Sequence, residues 1–477
     1  MSRRSCPAIT INDLCGDIAA EISGHTDVNV SGLTQDSRSV MSGDLYCCVR
    51  GRTFNGHRYA SDAVKMGAVA VLADEHIENL PPDVPVIMVE DVRSVLGNIA
   101  SRAFGHPSRS LVVVGITGTN GKTSTAAMLA SILRASGSHV AVIGTLTGER
   151  TTPEAIELQA LLAHHREAGI THVVMEVSSH ALDQNRVGGI EFAVGILTNI
   201  TRDHLDYHGT EENYFAAKAK LFTPGISRVG VVNVDDPRGQ LLIDVDAIPM
   251  RSYGHADALN QVIEVSRVAF TWHDTNISLP MGGGFTLMNA LAAITAADEL
   301  GISPKHIVAG CAVLESVPGR FESVPNDLGI GIVVDYAHTP DGLNEVLSSV
   351  RALTQHRVIV VFGCGGNRDH GKRPLMGEVA SRLADVVYVT SDNPRTEDPE
   401  AILADVVAGI PRTNDVHVIV DRREAIASAI SHARRGDIVV IAGKGHESTQ
   451  DIGGVLTPFS DVEVAKSVVS SRKGSAT

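Results

Sequence analysis

The chain has 477 residues, 43% hydrophobic and 20% charged, with 40 Lys and Arg against 55 Asp and Glu. This length exceeds what one hydrophobic core supports, so two or three domains are expected, and the dispersed Pro and Gly favour a folded protein over a disordered one. The formal charge of −15 argues against general nucleic-acid binding, which relies on clustered cations, and makes any anionic ligand dependent on a local positive site.

At the N-terminus Arg3 and Arg4 are followed by interrupting polar residues, so no signal-peptide apolar core is expected. No stretch is long and apolar enough to span a membrane. The six cysteines include the adjacent Cys47-Cys48 and show no Cys-x-x-Cys spacing, which predicts reduced thiols in a cytoplasm and no structural zinc. Up to about residue 108, "DSRSVMSGDLYCCVRG" and "AVAVLAD" suggest a small α/β unit.

From Leu111 onward short Val/Ile runs alternate with Ala/Leu-rich helical stretches, the pattern of parallel sheets with crossover helices. The predicted strands are "LVVVG", "HVVMEV", "VGILTN", "VGVVNV", then "GIVVDY", "VIVVFG", "DVVYVT", "VHVIV" and "DIVVIAG". Each leads into a polar or Gly-rich turn, and ligands of open α/β sheets bind beyond the carboxyl ends of strands. The helical "LMNALAAITAADELGI" and "VPGRFE" interrupt the alternation. The expectation is therefore an α/β protein of three domains, 1–108, 109–317 and 318–477, with two separate parallel sheets after the first domain. The final "SSRKGSAT" reads as a solvated tail.

The first turn, "TGTNGKT", places Gly118, Thr119, Asn120, Gly121, Lys122, Thr123 and Ser124 between a strand and a helix. Its spacing departs from the usual phosphate loop, because position 116 is Ile116. Even so, Gly118 and Gly121 allow backbone N–H groups to approach phosphate oxygens, Lys122 supplies charge, and Thr123 can ligate Mg²⁺. A structural Gly-rich turn is the alternative. Glu176 interrupts "HVVMEV", where a buried carboxylate needs a pairing cation or a metal. His204 in "TRDHLDYHG" is a candidate for the same ion.

In "TEENYFAAKAKLF" an α-helical period of about 100° per residue puts Tyr214, Phe215, Leu221 and Phe222 on one face with Lys218 at its centre, while Lys220 points away. An ammonium placed there must snorkel, lose its charge or be chemically altered. Farther on, "GCGGNRDHGKRP" gathers Arg368, Lys372 and Arg373 as a cationic site, and "SDNPRTEDP" sets Asp392, Asn393 and Arg395 around Pro394. An Arg fork can clasp a carboxylate while Asp392 and Glu447 take an ammonium, a combination suited to a zwitterion; ordinary turn chemistry is the competing reading.

Taken with "TTPE", "MEVSSHALDQNRV", "NVDDP", "DYAHTPDGL" and "GKGHE", these segments resemble the Mur ligase family over nearly the whole length, and "TGTNGKT" is that family's form of the phosphate loop. The resemblance implies an N-terminal UDP-binding domain, a central ATPase-type parallel sheet and a C-terminal Rossmann-like domain. It implies a cytoplasmic, monomeric ligase using ATP and two Mg²⁺, with no nucleic-acid partner and no membrane insertion. The implied reaction joins meso-diaminopimelate to the small-molecule substrate UDP-N-acetylmuramoyl-L-alanyl-D-glutamate through an acyl phosphate. By the same likeness Lys122, Lys218, His204 and His338 are catalytic. Thr123, Glu176, His204 and Lys218, the last as a CO₂-derived carbamate, are metal ligands. Asn289, Arg320 and Asp335 join residues 118–124 around the nucleotide. Ser37, Thr151, Thr152, Ser178, Gln184 and Arg186 match contacts to the UDP-muramoyl peptide. Arg368, Asp392, Asn393, Pro394, Arg395, Gly443 and Glu447 match the amino-acid pocket, where Arg395 favours diaminopimelate over lysine.

The chain departs from the family pattern in three places. Only Glu149 and Arg150 separate "GTLTG" from "TTPE", Thr286 stands where Asn is usual, and Thr449 stands where an aromatic is common. Folylpolyglutamate synthase, an L-lysine-adding or repurposed ligase, and a non-catalytic nucleotide-binding scaffold are the rival readings.

Overall fold

The computed structural model describes residues 5–51, 54–413 and 415–474. Arg3 and Arg4, and the last three residues of the expected tail, lie outside them. The chain divides into two compact units, residues 1–253 and 254–477.

The first unit opens with a two-stranded pair, β1 (Ile9–Thr10) with β3 (Asn29–Val30). Beside it β2 (Glu21–Ser23), β4 (Gly32–Thr34), β5 (Asp44–Cys47), β6 (Ala68–Ala73) and β7 (Val86–Met88) form a five-stranded sheet in the order β2-β7-β6-β5-β4. The next sheet has six strands, all paired in parallel: β8 (Val112–Thr117), β9 (Val140–Ile143), β10 (His172–Glu176), β11 (Phe192–Leu197), β12 (Ser227–Asn233) and β13 (Met250–Tyr253), in the order β13-β12-β11-β8-β10-β9. Val113, Val114, Val173, Val174 and Ile196 are fully buried there, as expected of β-branched strands covered by helices on both faces. Register pairs Glu176 with Ile116 and Leu197 with Thr117, so three strand ends open beside the 118–124 loop. Gly97, on helix Val92–Ala103, lies so close to the Gly188 backbone that any side chain there would clash, which fits the two sheets' helices together within this unit.

The second unit begins with an antiparallel sheet that the alternation did not predict: β14 (Leu259–Ile263), β15 (Val268–Trp272) and β16 (Thr275–Leu279). Helix Gly284–Glu299 follows and buries eleven residues around its circumference, consistent with its Ala/Leu-rich sequence. The third large sheet contains β17 (Glu322–Ser323), β18 (Gly331–Asp335), β19 (Val358–Phe362), β20 (Val386–Val389), β21 (Asp415–Val418) and β22 (Ile438–Ala442), ordered β17-β18-β22-β19-β20-β21. Its strands pair in parallel except β17. A hairpin, β23 (Thr449–Ile452) with β24 (Val455–Pro458), leads into helix Asp461–Gly474. Residues 470–474 thus extend a helix, and the expected tail begins later than its composition suggested. The nine strands read from Val/Ile runs are all present.

Candidate active-site residues

The loop after β8 is shaped by its glycines. Gly118 (φ +147°) packs against the Thr198 hydroxyl where a side chain would collide, and Gly121 (φ +82°) starts helix Lys122–Ala135. Asn199 accepts the Thr119 and Asn120 amides through its carbonyl and side-chain oxygens at 2.9 and 3.0 Å. Lys122 Nζ donates to the carbonyls of Gly118 and Thr119 at 2.9 and 2.8 Å, and Thr123 and Ser124 are buried in the first helical turn.

Glu176, 2% exposed at the end of β10, is bonded by neutral donors: the hydroxyls of Thr123 (3.1 Å) and Thr145 (3.2 Å) and the Thr145 amide (2.9 Å). From there a row of hydroxyls continues. Thr145 meets Thr151 at 3.1 Å, Thr152 donates to the Glu176 carbonyl at 2.9 Å, and the Ser178 amide donates to the Thr152 hydroxyl at 3.0 Å. Arg186 donates to the Thr152 carbonyl and to Gln184 Oε1, and pairs with Glu154 at 3.0 Å. Tyr207 joins this group by accepting from Gln184 (3.1 Å) and donating to Asp183 (2.9 Å). Five of the residues expected at the muramoyl peptide are therefore contiguous with Glu176. Ser37 sits elsewhere in the unit, in the 3-10 turn Ser37–Ser39 that Asp36 caps.

Thr210 caps helix Glu211–Ala219, which carries Lys218, while Lys220 begins the 3-10 turn Lys220–Phe222; the two lysines part as expected, although the helix ends before Lys220. Lys220 is exposed and bonds Asp183, whereas Lys218 is 2% exposed. Lys218 Nζ donates to Gly118 O at 2.7 Å and lies 4.6 Å from the Tyr214 ring centroid. Burial, and next the nearby Lys122 charge, hold its ammonium pKa well below the usual lysine range, although Asp203 opposes them. His204 is half-exposed, has left-handed backbone (φ +52°), and packs edge-on to His180 at 4.8 Å and near Tyr214 at 6.3 Å. Tyr214 thus lies between His204 and Lys218.

In the second unit the ends of β18, β20 and β22 carry most of the remaining candidates, while Asn289 lies on helix Gly284–Glu299, Arg320 just before β17 and Arg368 after β19. Asp335 accepts the Phe321 and Ala337 amides, each at 2.8 Å; burial raises its pKa despite Arg320. The Arg320 guanidinium lies over Tyr336 at 4.6 Å, and the Gly443 amide donates to the Asp335 carbonyl. His338 is exposed with Nδ1 2.9 Å from the Tyr336 carbonyl, and Asn289 is buried in helix Gly284–Glu299. Asp392 is buried against Gly443, and that burial raises its pKa. Asn393 donates to Glu447 at 2.8 Å. Burial would raise the Glu447 pKa, but the bonds from Lys444 and Asn393 outweigh it and leave the carboxyl below its usual range. Pro394 is buried, and Arg395 Nη1 donates to the Gly366 carbonyl at 2.6 Å.

Three family models match the chain: Mur ligase family, catalytic domain, over residues 29–104; Mur ligase middle domain over 116–297; and Mur ligase, glutamate ligase domain, over 319–445. The UDP-N-acetylmuramoyl-L-alanyl-D-glutamate–2,6-diaminopimelate ligase of Syntrophomonas wolfei is 43% identical over 465 residues, covering 93% of this chain and 95% of that protein. The chain belongs to the Mur ligase family. The enzyme of the same name from Gloeobacter violaceus is 42% identical and covers 98% of this Mur ligase and 99% of its own length. A solved structure of a ligase of that name aligns with TM-score 0.72 at 33% identity, covering 98% and 100% of the two chains. MurF from Acinetobacter baumannii shares the fold at TM-score 0.66 and 20% identity, covering 92% and 96%.

The cationic cluster expected in this Mur ligase at residues 368–373 needs correction. Arg373 is 1% exposed and neutralised by Glu397 (2.8 Å) and Asp405 (2.9 Å), and Lys372 donates to the His338 carbonyl. Arg368 is exposed. Adjacency in sequence placed three cations together, but the first turn of helix Lys372–Leu383 turns Arg373 inward onto acids 24 and 32 residues away. Two buried cations escaped the sequence reading. Lys444 is fully buried on Asn393 and Glu447, and Arg422 is fully buried on Asp461 at 2.7 Å while donating to the carbonyls of Ser391 and Ala442. The signal for Lys444 was present in "GKGHE", where a lysine one residue after a buried strand requires a partner.

Among the described residues no helix is long and apolar enough to cross a membrane. All six cysteines are free and buried.

Proposed function

We propose that this chain is an ATP-dependent ligase that adds meso-diaminopimelate to UDP-N-acetylmuramoyl-L-alanyl-D-glutamate in peptidoglycan precursor synthesis. The observation that carries the reading is identity of 40–43% to curated ligases of that reaction over nearly the whole chain. The constellation of Asn393, Arg395 and Glu447 supports it, since it offers a fork for a carboxylate and an acceptor for an ammonium. On this reading the protein is a cytoplasmic monomer organised as 1–108, 109–317 and 318–477.

In the mechanism, the 118–124 loop of the first unit, with Lys122, would hold the ATP phosphates. Divalent magnesium suits Thr123 and Glu176. The carboxylate is buried among neutral donors, leaving an anion for a cation to balance, and the donors are the hard oxygens that Mg²⁺ takes. When bound, such an ion supplies charge neutralisation at the phosphoryl oxygens. His204 and, as a carbamate, Lys218 would complete the set of residues holding the ion. The buried Lys218 amine fits modification, because the neutral form that burial favours can attack CO₂: an N–C bond forms, an N–H proton leaves to solvent, and a carbamate anion results. Thr151, Thr152, Ser178, Gln184, Arg186 and Ser37 hold the UDP-muramoyl peptide so that its terminal carboxylate takes the γ-phosphoryl group. Arg368, Asp392, Asn393, Pro394, Arg395, Gly443 and Glu447 hold the amino acid whose amine displaces phosphate from the acyl phosphate. His338 remains a candidate at the reacting groups.

The test is incubation with ATP, UDP-N-acetylmuramoyl-L-alanyl-D-glutamate and meso-diaminopimelate, following phosphate and the tripeptide product. Phosphate release dependent on all three is expected; none at all overturns the ligase, and release with L-lysine alone overturns the selectivity. A milder effect is expected from Tyr207→Phe. Losing the hydroxyl that ties Gln184 to Asp183 should raise KM for the UDP substrate about fivefold, the scale of the one neutral bond it accepts from Gln184, the substrate-side residue, with KM for ATP unchanged. Steady-state kinetics at saturating co-substrates checks this.

A further inference from the structure

The inference rests on the proposed function and concerns how its amino-acid pocket is held in shape. The side chain of Lys444 is 0% exposed. Its ammonium donates to Asn393 Oδ1 at 2.9 Å and Glu447 Oε2 at 2.7 Å. Asn393 Oδ1 also accepts the Asp451 amide from β23 at 3.0 Å, so both lone pairs of that oxygen are used. The amide therefore has one orientation. Nδ2 faces Glu447 Oε2 at 2.8 Å and has one N–H left over. Among the described residues the side-chain bonds to Glu447 fall on Oε2, which leaves Oε1 for a ligand.

We propose that Lys444 is a positioning residue for amino-acid recognition: it orients the Asn393 amide and the Glu447 carboxylate so that the pocket presents one N–H donor and one anionic oxygen. The donor suits a carboxylate of the incoming amino acid and the oxygen suits its ammonium. Lys444 itself spends its visible bonds on these two residues and touches no reacting atom. A purely structural role would consist in closing the Gly443–Glu447 turn, where the Glu447 amide also bonds the Lys444 carbonyl. The two roles separate experimentally. A turn closure affects folding and every substrate alike, whereas an orienting role weakens one substrate.

The experiment uses the full chain and begins with native turnover. If the native protein releases no phosphate with meso-diaminopimelate, the ligase reading fails before Lys444 is tested. Given native turnover, Lys444→Met, which nearly conserves length and volume without the charge, is expected to raise KM for meso-diaminopimelate about tenfold. KM for ATP and for the UDP substrate should move by less than about twofold. Because Lys444 offsets the effect of burial on Glu447, the variant should also bind the amino acid progressively less well as pH is lowered through a range where the native KM is flat. Asp392, Tyr336, His446 and the buried Arg422 also act on Glu447; they are unchanged in the variant and so cancel in the comparison. Lys444→Gln retains a donor without the charge, should give an intermediate KM, and carries the test if the Met variant does not fold. Adding Glu447→Gln to Lys444→Met should cost little beyond Glu447→Gln alone, since coupled residues are not additive. Equal rises in all three KM values, an unchanged diaminopimelate KM, or fully additive losses would overturn the proposal.

Discussion

Lys218→Ala is expected to lower kcat on the order of a thousandfold, the scale seen when a charge-stabilising group is removed from a reacting centre. The amine is buried under the 118–124 loop, 2.7 Å from Gly118 O and beside Lys122, and its own helix directs it there while Lys220 two residues on reaches solvent. A lysine at that site either remains an amine, in which case alanine removes a loop hydrogen bond, or it is a carbamate, in which case alanine removes a metal-ligating anion. The two cases diverge in rescue. Short carboxylic acids added to the variant restore part of kcat if an anion was lost, and restore nothing if a loop bond was lost. NMR with isotopically labelled bicarbonate supplies a second check: a carbamate resonance is expected in the native chain and not in the variant.

Arg395→Ala is expected to raise KM for meso-diaminopimelate on the order of a hundredfold, the upper range for a charge-assisted hydrogen bond, with KM for ATP unchanged. Arg395 commits Nη1 to the Gly366 carbonyl, which anchors the guanidinium and leaves the rest of the fork for a carboxylate. Its backbone is held from the hairpin, through its amide to Asp451 O and its carbonyl from Gly453 N. Its φ is +54°, a left-handed strain that arginine already bears and alanine keeps, whereas asparagine tolerates that region better. Arg395→Asn therefore serves as the control: matching losses in the two variants assign the effect to the guanidinium. Equal losses for ATP and diaminopimelate would contradict the assignment.

What could be read from the sequence depended on the range of the interactions involved. Local periodicity separated Lys218 from Lys220, and the Val/Ile runs located the parallel strands, because both depend on neighbours within one element. The β14–β16 sheet was missed because "LNQVIEVSRVAFTWHDTNISL" lacks a continuous apolar run: much of β14 faces solvent, and β15 and β16 bury only alternate residues. Arg373 was misread for the opposite reason. Its loop is rich in cations, and the acids that neutralise it, Glu397 and Asp405, come from beyond β20. Glu176 was recognised as a buried anion, yet the hydroxyls around it could not be foreseen, since Thr145, Thr151 and Thr152 approach it only through the strand order β8-β10-β9.

That row of hydroxyls has a thermodynamic corollary. Each hydroxyl can rotate to donate or accept, so an ion held by Thr123 and Glu176 would reorient Thr145, Thr151 and Thr152 in turn. Reciprocity then requires that whatever factor the cation contributes to affinity at the Thr151–Arg186 side, a ligand at that side returns to the cation. Titrating magnesium with and without the UDP substrate would measure the same ratio from either direction.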